Sequence, residues 1–284
     1  MTITLAKDGD LRAALEATQP NACAPSLEKG KPISICSGEA DSLDYFIYVP
    51  KNARVDSPVV AAVHGLRRSA AQQIFQLKAE AERCGMILFA PLFAREQFRH
   101  FQTLTPNENG VFPEAAFEAA LEDCLARLQL PDPQRFLFGF SGGAQFAHRY
   151  ALTARRRLDK LVLMAPGWFT TPDPGLPFPY GIGASEELGE RQLDLKRALK
   201  CPTLLVVGER DTKRTSSLNQ EPLIDTHQGR TRLERCESWI AAMQAQPDSD
   251  AIEDLMLVKG GGHSLEQMVR RRGAGARIFD WLAR

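Results

Sequence analysis

The chain has 284 residues, in which 35 Lys+Arg balance 35 Asp+Glu. A formal net charge of zero argues against a phosphate-neutralising nucleic-acid binder, and against charge-driven attachment to a membrane, as the main business of the molecule. With 44% hydrophobic and 25% charged residues, the composition is far from that of a disordered chain, and a chain of this length can bury a large core.

Residues 1–26 carry no basic segment followed by an apolar stretch, which predicts a cytoplasmic chain without a secretory signal. No apolar run approaches the roughly 18 residues that a membrane span needs. The six cysteines, Cys23, Cys36, Cys84, Cys124, Cys201 and Cys236, include no C-x-x-C pair, which argues against a zinc ribbon or a dithiol motif and predicts reduced, structural thiols. A Cys23–Cys36 disulfide is feasible by loop length only in a secreted form.

From residue 44 onward, short apolar runs alternate with longer helix-period stretches. The spacing predicts strands over 46–49, 59–63, 86–89, 136–138, 161–164, 204–207 and 255–258, and helices over 70–84, 114–128, 143–155, 231–243 and 264–282. Several runs are continuously apolar and so need cover on both faces, the pattern of a parallel sheet wrapped by helices. The unbroken alternation predicts one α/β domain over residues 1–284. Two stretches interrupt it. Residues 166–199 carry Pro172, Pro174, Pro177 and Pro179 among Trp168, Phe169, Phe178 and Tyr180, which excludes a regular helix at the start of that stretch. Residues 210–229 form a second long polar connection.

The sharpest local signal is Gly139-Phe140-Ser141-Gly142-Gly143, a G-x-S-x-G sequence between a predicted strand and a predicted helix. A serine on such a turn projects its hydroxyl above the sheet edge, while the glycines allow neighbouring backbone to approach. The helix start that follows presents free N–H groups to a developing anion. A serine hydroxyl is protonated at neutral pH and needs a base within hydrogen-bond reach. Of the five histidines, His263 follows three glycines between the last predicted strand and the last predicted helix, at the sheet edge that carries Ser141. His227 is the competitor, in an irregular loop. His100 and His148 read as polar surface or groove residues, and the His64 side chain as a buried, satisfied loop histidine. The base in turn needs a carboxylate. Glu209 and Asp211 both follow the predicted strand 204–207; Asp211, further into the loop, has more room to reach His263.

In the order Ser141, Asp211, His263, with Gly139 to Gly143 as the elbow, the chain resembles the α/β-hydrolase superfamily over roughly residues 44–284. The resemblance implies a mostly parallel sheet with helices on both faces and an oxyanion hole formed by the backbone N–H groups of Gly142 and Leu66. His64-Gly65 continues into Leu66-Arg67-Arg68 rather than further glycines, which separates the chain from lipases of the H-G-G-G type. The stretch 166–199 falls where members of the superfamily carry a cap, so Trp168, Phe169, Phe178 and Tyr180 are candidates to line an apolar substrate pocket, with packing against their own domain as the alternative. Arg67 and Arg68 are candidates to meet a substrate carboxylate or phosphate, although a solvated pair leading into the next helix is the favoured reading. No phosphate-loop, zincin or dinucleotide motif is present, so the expected chemistry is free of cofactor and metal. The reading is a serine hydrolase that cleaves a small-molecule carboxylic ester through an acyl-enzyme, with no nucleic-acid or membrane partner. An amidase or peptidase with the same triad, or a non-catalytic binding protein on the same fold, is the alternative.

Overall fold

The computed structural model describes residues 27–39, 41–249, 251–253 and 255–284. Eight strands form one sheet: β1 (Pro32–Ile35), β2 (Asp44–Tyr48), β3 (Val59–Val63), β4 (Ile87–Leu92), β5 (Arg135–Phe140), β6 (Lys160–Met164), β7 (Thr203–Gly208) and β8 (Met256–Val258), in the order β1-β2-β4-β3-β5-β6-β7-β8. Pairing is antiparallel for β1–β2 and β2–β4 and parallel from β4 through β8. Strand β2 is therefore the reversed one. The register aligns Val63 with Gly139, Phe140 with Met164 and Gly208 with Val258, so the carboxyl ends of β3, β5, β6, β7 and β8 share one edge.

The helices are α1 (Ala70–Cys84), α2 (Pro113–Arg127), α3 (Gly142–Thr153), α4 (Leu195–Lys200), α5 (Pro222–Gln228), α6 (Arg232–Gln244) and α7 (Ala274–Leu282). Helices α1 and α7 pack together on one face of the sheet, and α2, α3 and α6 cover the other. With both faces covered, β3 and β7 are buried throughout, which is why their sequences are continuous apolar runs rather than alternating ones.

One predicted element is corrected, and further elements escaped the sequence reading. The stretch 264–282 is not one helix: a π-helical turn over Gln267–Arg271 leads to Gly273 at φ 70°, and α7 starts only after it. A left-handed residue ends the first segment, and glycine adopts that conformation without a Cβ penalty. The connection 210–229 contains α5, whose Pro222 sits in the first turn, where a missing N–H costs nothing. The edge strand β1 has no counterpart among the predicted strands.

No helix among the described residues is long and apolar enough to cross a membrane. Cys124, Cys201 and Cys236 are buried free thiols, Cys36 is an exposed one, and burial pushes the Cys201 thiol up to about 12. Cys23 lies outside the described residues, and with it the Cys23–Cys36 pairing.

Candidate active site

Ser141 occupies the turn between β5 and α3 with φ 55° and ψ −114°, a sparsely populated backbone region that persists only when the surroundings enforce it. The surroundings are visible. The Ser141 N–H is fastened to the Met164 carbonyl at the end of β6 (2.8 Å), and the Ser141 carbonyl receives the N–H groups of Ala144 and Gln145 as the helix begins. A Cβ on Gly143 would lie 2.1 Å from the Val63 carbonyl oxygen, and one on Gly139 would lie 2.3 Å from the Gly143 oxygen. Those two glycines let α3 press onto β3 and β5 and so force the turn.

His263 lies in the loop after β8, and Asp211 in the loop after β7. The two loops are knitted together: Arg210 N–H donates to the Gly261 carbonyl (2.8 Å), and the Glu209 carboxylate accepts the Gly260 N–H (2.8 Å). Glu209 is thus occupied with the glycine turn, and Asp211 is the acid that faces the imidazole. His263 Nδ1 lies 2.7 Å from Asp211 Oδ2, and His263 Nε2 lies 3.0 Å from Ser141 Oγ. An ionised carboxylate can only accept, so the proton sits on Nδ1 and Nε2 is left to accept from the serine hydroxyl. Asp211 is buried, whereas the His263 side chain retains 26% of its exposure. The Phe140 ring stacks on the imidazole, with centroids 5.1 Å apart and planes at 26°.

Leu66 N lies 3.2 Å from the position that a Cβ on Gly142 would take, so the loop after β3 meets the first residue of α3 directly. Among the described residues, neither the Leu66 N–H nor the Gly142 N–H donates to a protein acceptor. Leu66 is 45% exposed, and Arg67 beside it is also exposed.

Arg68 is not available to a substrate. It stands at φ 55° with its guanidinium donating to the carbonyls of Phe93, Phe98 and Arg99. His64 is buried as expected: its Nε2 accepts the Phe93 N–H (3.0 Å) and its Nδ1 donates to the Gly65 carbonyl (2.8 Å). Burial, the larger cause, lowers its pKa to about 4. His148 is a correction. It is buried in α3 rather than at a surface or groove, donating from Nδ1 to the Ala144 carbonyl and accepting the Thr170 N–H at Nε2. Burial holds it well below the ordinary imidazole range. His227 is exposed on α5, not in an irregular loop.

Trp168 and Phe169, the candidate pocket-lining aromatics, lie inside the fold. Both are buried: Phe169 stacks on Trp239 at 4.7 Å, and Trp168 lies under the Arg149 guanidinium at 4.1 Å. The backbone beside them is clamped from several helices. Gln228 pairs with both the N–H and the carbonyl of Phe169 (2.8 Å each), Trp239 donates to the Thr170 carbonyl (3.0 Å), and Arg235 donates to the Gly167 carbonyl (2.6 Å). Arg149 is fully buried with no carboxylate partner among the described residues, and burial pushes its guanidinium down to about 9.

Arg232 is the residue that sequence reasoning missed. Its Nη1 donates to Asp211 Oδ1 at 3.4 Å, both side chains being 2% exposed. A signal was there: Arg232, Cys236, Trp239 and Met243 share the buried stripe of α6 at helical spacing, and an arginine on an apolar stripe calls for an internal anion. Among the described residues, no group of three His, Cys, Asp or Glu is arranged to hold a metal ion.

No protein-family model and no curated protein matches the sequence. Solved structures do match in three dimensions. A poly(aspartic acid) hydrolase-1 from Sphingomonas sp. KT-1 superposes with a TM-score of 0.72 at 21% identity, covering 86% of this chain and 96% of that one. A poly(3-hydroxybutyrate) depolymerase from Bordetella parapertussis gives 0.70 at 23% identity over 88% and 89%. An S-formylglutathione hydrolase from Agrobacterium tumefaciens gives 0.57 at 16% identity over 89% and 93%. With the sheet order and the strand-turn-helix at Ser141, these likenesses define the fold: the chain has the α/β-hydrolase fold.

Proposed function

We propose that the protein is a serine hydrolase that cleaves carboxylic esters of small molecules through an acyl-enzyme, working as one domain in the cytoplasm. The observation that carries this reading is the continuous line from Ser141 Oγ through the His263 ring to the buried Asp211 carboxylate, at 3.0 and 2.7 Å. As Ser141 Oγ attacks the ester carbonyl carbon, its proton passes to His263 Nε2. Asp211 holds the imidazole in the accepting tautomer and stabilises the imidazolium that forms. The tetrahedral intermediate places negative charge on the former carbonyl oxygen, for which the N–H groups of Gly142 and Leu66 are the donors. His263 then protonates the departing alcohol, leaving an acyl-serine. Water, deprotonated by the same imidazole, releases the acid and restores the hydroxyl.

The fold alone fixes no chemistry, and the reading rests on the three side chains rather than on the likenesses. The depolymerase and the S-formylglutathione hydrolase are consistent with an ester or thioester bond. The poly(aspartic acid) hydrolase, whose substrate is an amide polymer, keeps amide cleavage as the second reading. A fluorophosphonate probe tests the nucleophile. Stoichiometric labelling at Ser141 that vanishes in Ser141→Ala is the expected outcome, and an unlabelled native protein would leave a non-catalytic binding role instead. A panel of acyl esters and matched amides, graded in length and charge, then separates the two bond types.

A further inference from the structure

We propose that Arg232 is a positioning residue that sets the charge balance of the relay, making Asp211 one half of a buried ion pair rather than a lone anion behind His263. The proposal rests on the serine-hydrolase reading. Asp211 divides its two oxygens: Oδ2 faces His263 Nδ1 at 2.7 Å, and Oδ1 faces Arg232 Nη1 at 3.4 Å. Arg232 comes from the first turn of α6 and has no other carboxylate partner among the described residues; its Nη2 reaches the Ser217 hydroxyl at 3.3 Å, and its Nε is buried without a partner.

The surrounding charges do not replace it. On α6, Arg235 is committed to Asp225, and Cys236 is a buried thiol kept protonated by burial first and by the Asp211 charge second. In the loops, Arg214 is also paired with Asp225, Glu209 with the Gly260 N–H, and Arg210 and Lys213 are exposed. From the far side, Arg272 lies against Gly260 at the base of the His263 loop.

Two consequences follow from this geometry. The guanidinium fixes the carboxylate plane, so that Oδ2 and not Oδ1 meets the imidazole. It also offsets the Asp211 charge, so that the imidazole faces a less negative field than it would beside an unshared carboxylate.

The test is the pH dependence of fluorophosphonate labelling at Ser141, a readout that needs no knowledge of the natural substrate. Removing the guanidinium charge in Arg232→Met should move the acid limb of the labelling rate to higher pH by about one pH unit, a roughly tenfold loss of rate on the acid side. Arg232→Lys, which keeps the charge, should hold the limb near its native position. Because Arg232→Met leaves a buried carboxylate unpaired, Arg232→Gln is measured beside it, with helical content followed by circular dichroism. An unmoved limb in folded Met or Gln variants overturns the inference, as does a Lys variant displaced as far as Met. Failure of both neutral variants to fold while Lys folds marks a purely structural arginine and equally counts against it. Absence of labelling in the native protein is a different result, since it removes the serine-hydrolase reading itself.

Discussion

At the scale of single residues, the division of labour among the histidines is what experiment can resolve most sharply. His263 alone touches both a hydroxyl and a carboxylate, while His64 and His148 each spend both ring nitrogens on backbone groups, and His227 faces solvent on α5. Loss of the base in a relay of this type costs about 10⁶ in kcat. His263→Ala should accordingly abolish p-nitrophenyl acetate hydrolysis with the fold intact by circular dichroism, whereas His227→Ala should hydrolyse at the native rate. Equal losses in the two variants would remove His263 from its role. Ser141, His263 and Asp211 were legible in the sequence because each sits just past a strand that the apolar runs reveal. Arg232 was not, because its partner lies 21 positions away and only the packing of α6 brings the two together. The burial of His148 was hidden for another reason: α3 is buried from Gly142 through Leu152, so no polar face remained to mark which positions point outward.

At the scale of elements, the segment after β6 separates composition from structure. Proline density correctly excludes a regular helix at its start, yet composition cannot tell that residues 166–172 form a buried strap while much of 173–199 is exposed. The difference is made by distant side chains, Gln228 of α5, His148 of α3 and Trp239 of α6, each of which satisfies a backbone group in the strap. A buried chain with unmet backbone groups would be unstable, so these bonds are the condition for its burial. Phe169 is consequently a packing residue, and Phe169→Ala should cost about 3–5 kcal/mol of stability in urea unfolding while leaving KM for small esters close to native. A large rise in KM with unchanged stability would instead return Phe169 to the substrate pocket. The strand β1 escaped sequence reading because Pro32 and Ser34 interrupt its apolar character, and it needs only one buried side chain, Ile35, to hold the sheet's edge. The division of the final helical region turns on Gly273, whose positive φ interrupts a sequence that otherwise reads as continuously helical.

At the scale of the whole molecule, two buried neutral imidazoles couple folding to pH. His64 has its pKa lowered from 6.5 to about 4 in the folded protein, so between those values the unfolded chain binds the proton and the native one does not. Stability therefore rises with pH across that window. The contribution of His64 is complete above about pH 6.5 and lost as pH falls towards 4, amounting to about 3 kcal/mol. His148 acts in the same direction. The urea midpoint should drop between pH 7 and pH 5, and the drop should be shallower in His64→Asn, which has no proton to gain; an identical pH dependence in that variant would relocate the effect.

The strap after β6 also governs how the molecule opens. The amides of Phe169 and Thr170 donate to side chains on two different helices, so neither is released by swinging one loop aside; α3 and α5 must come away first. Measured by deuterium uptake, these amides should stay protected for as long as those of β6 and β7. Early uptake there, ahead of the central strands, would identify a hinged flap.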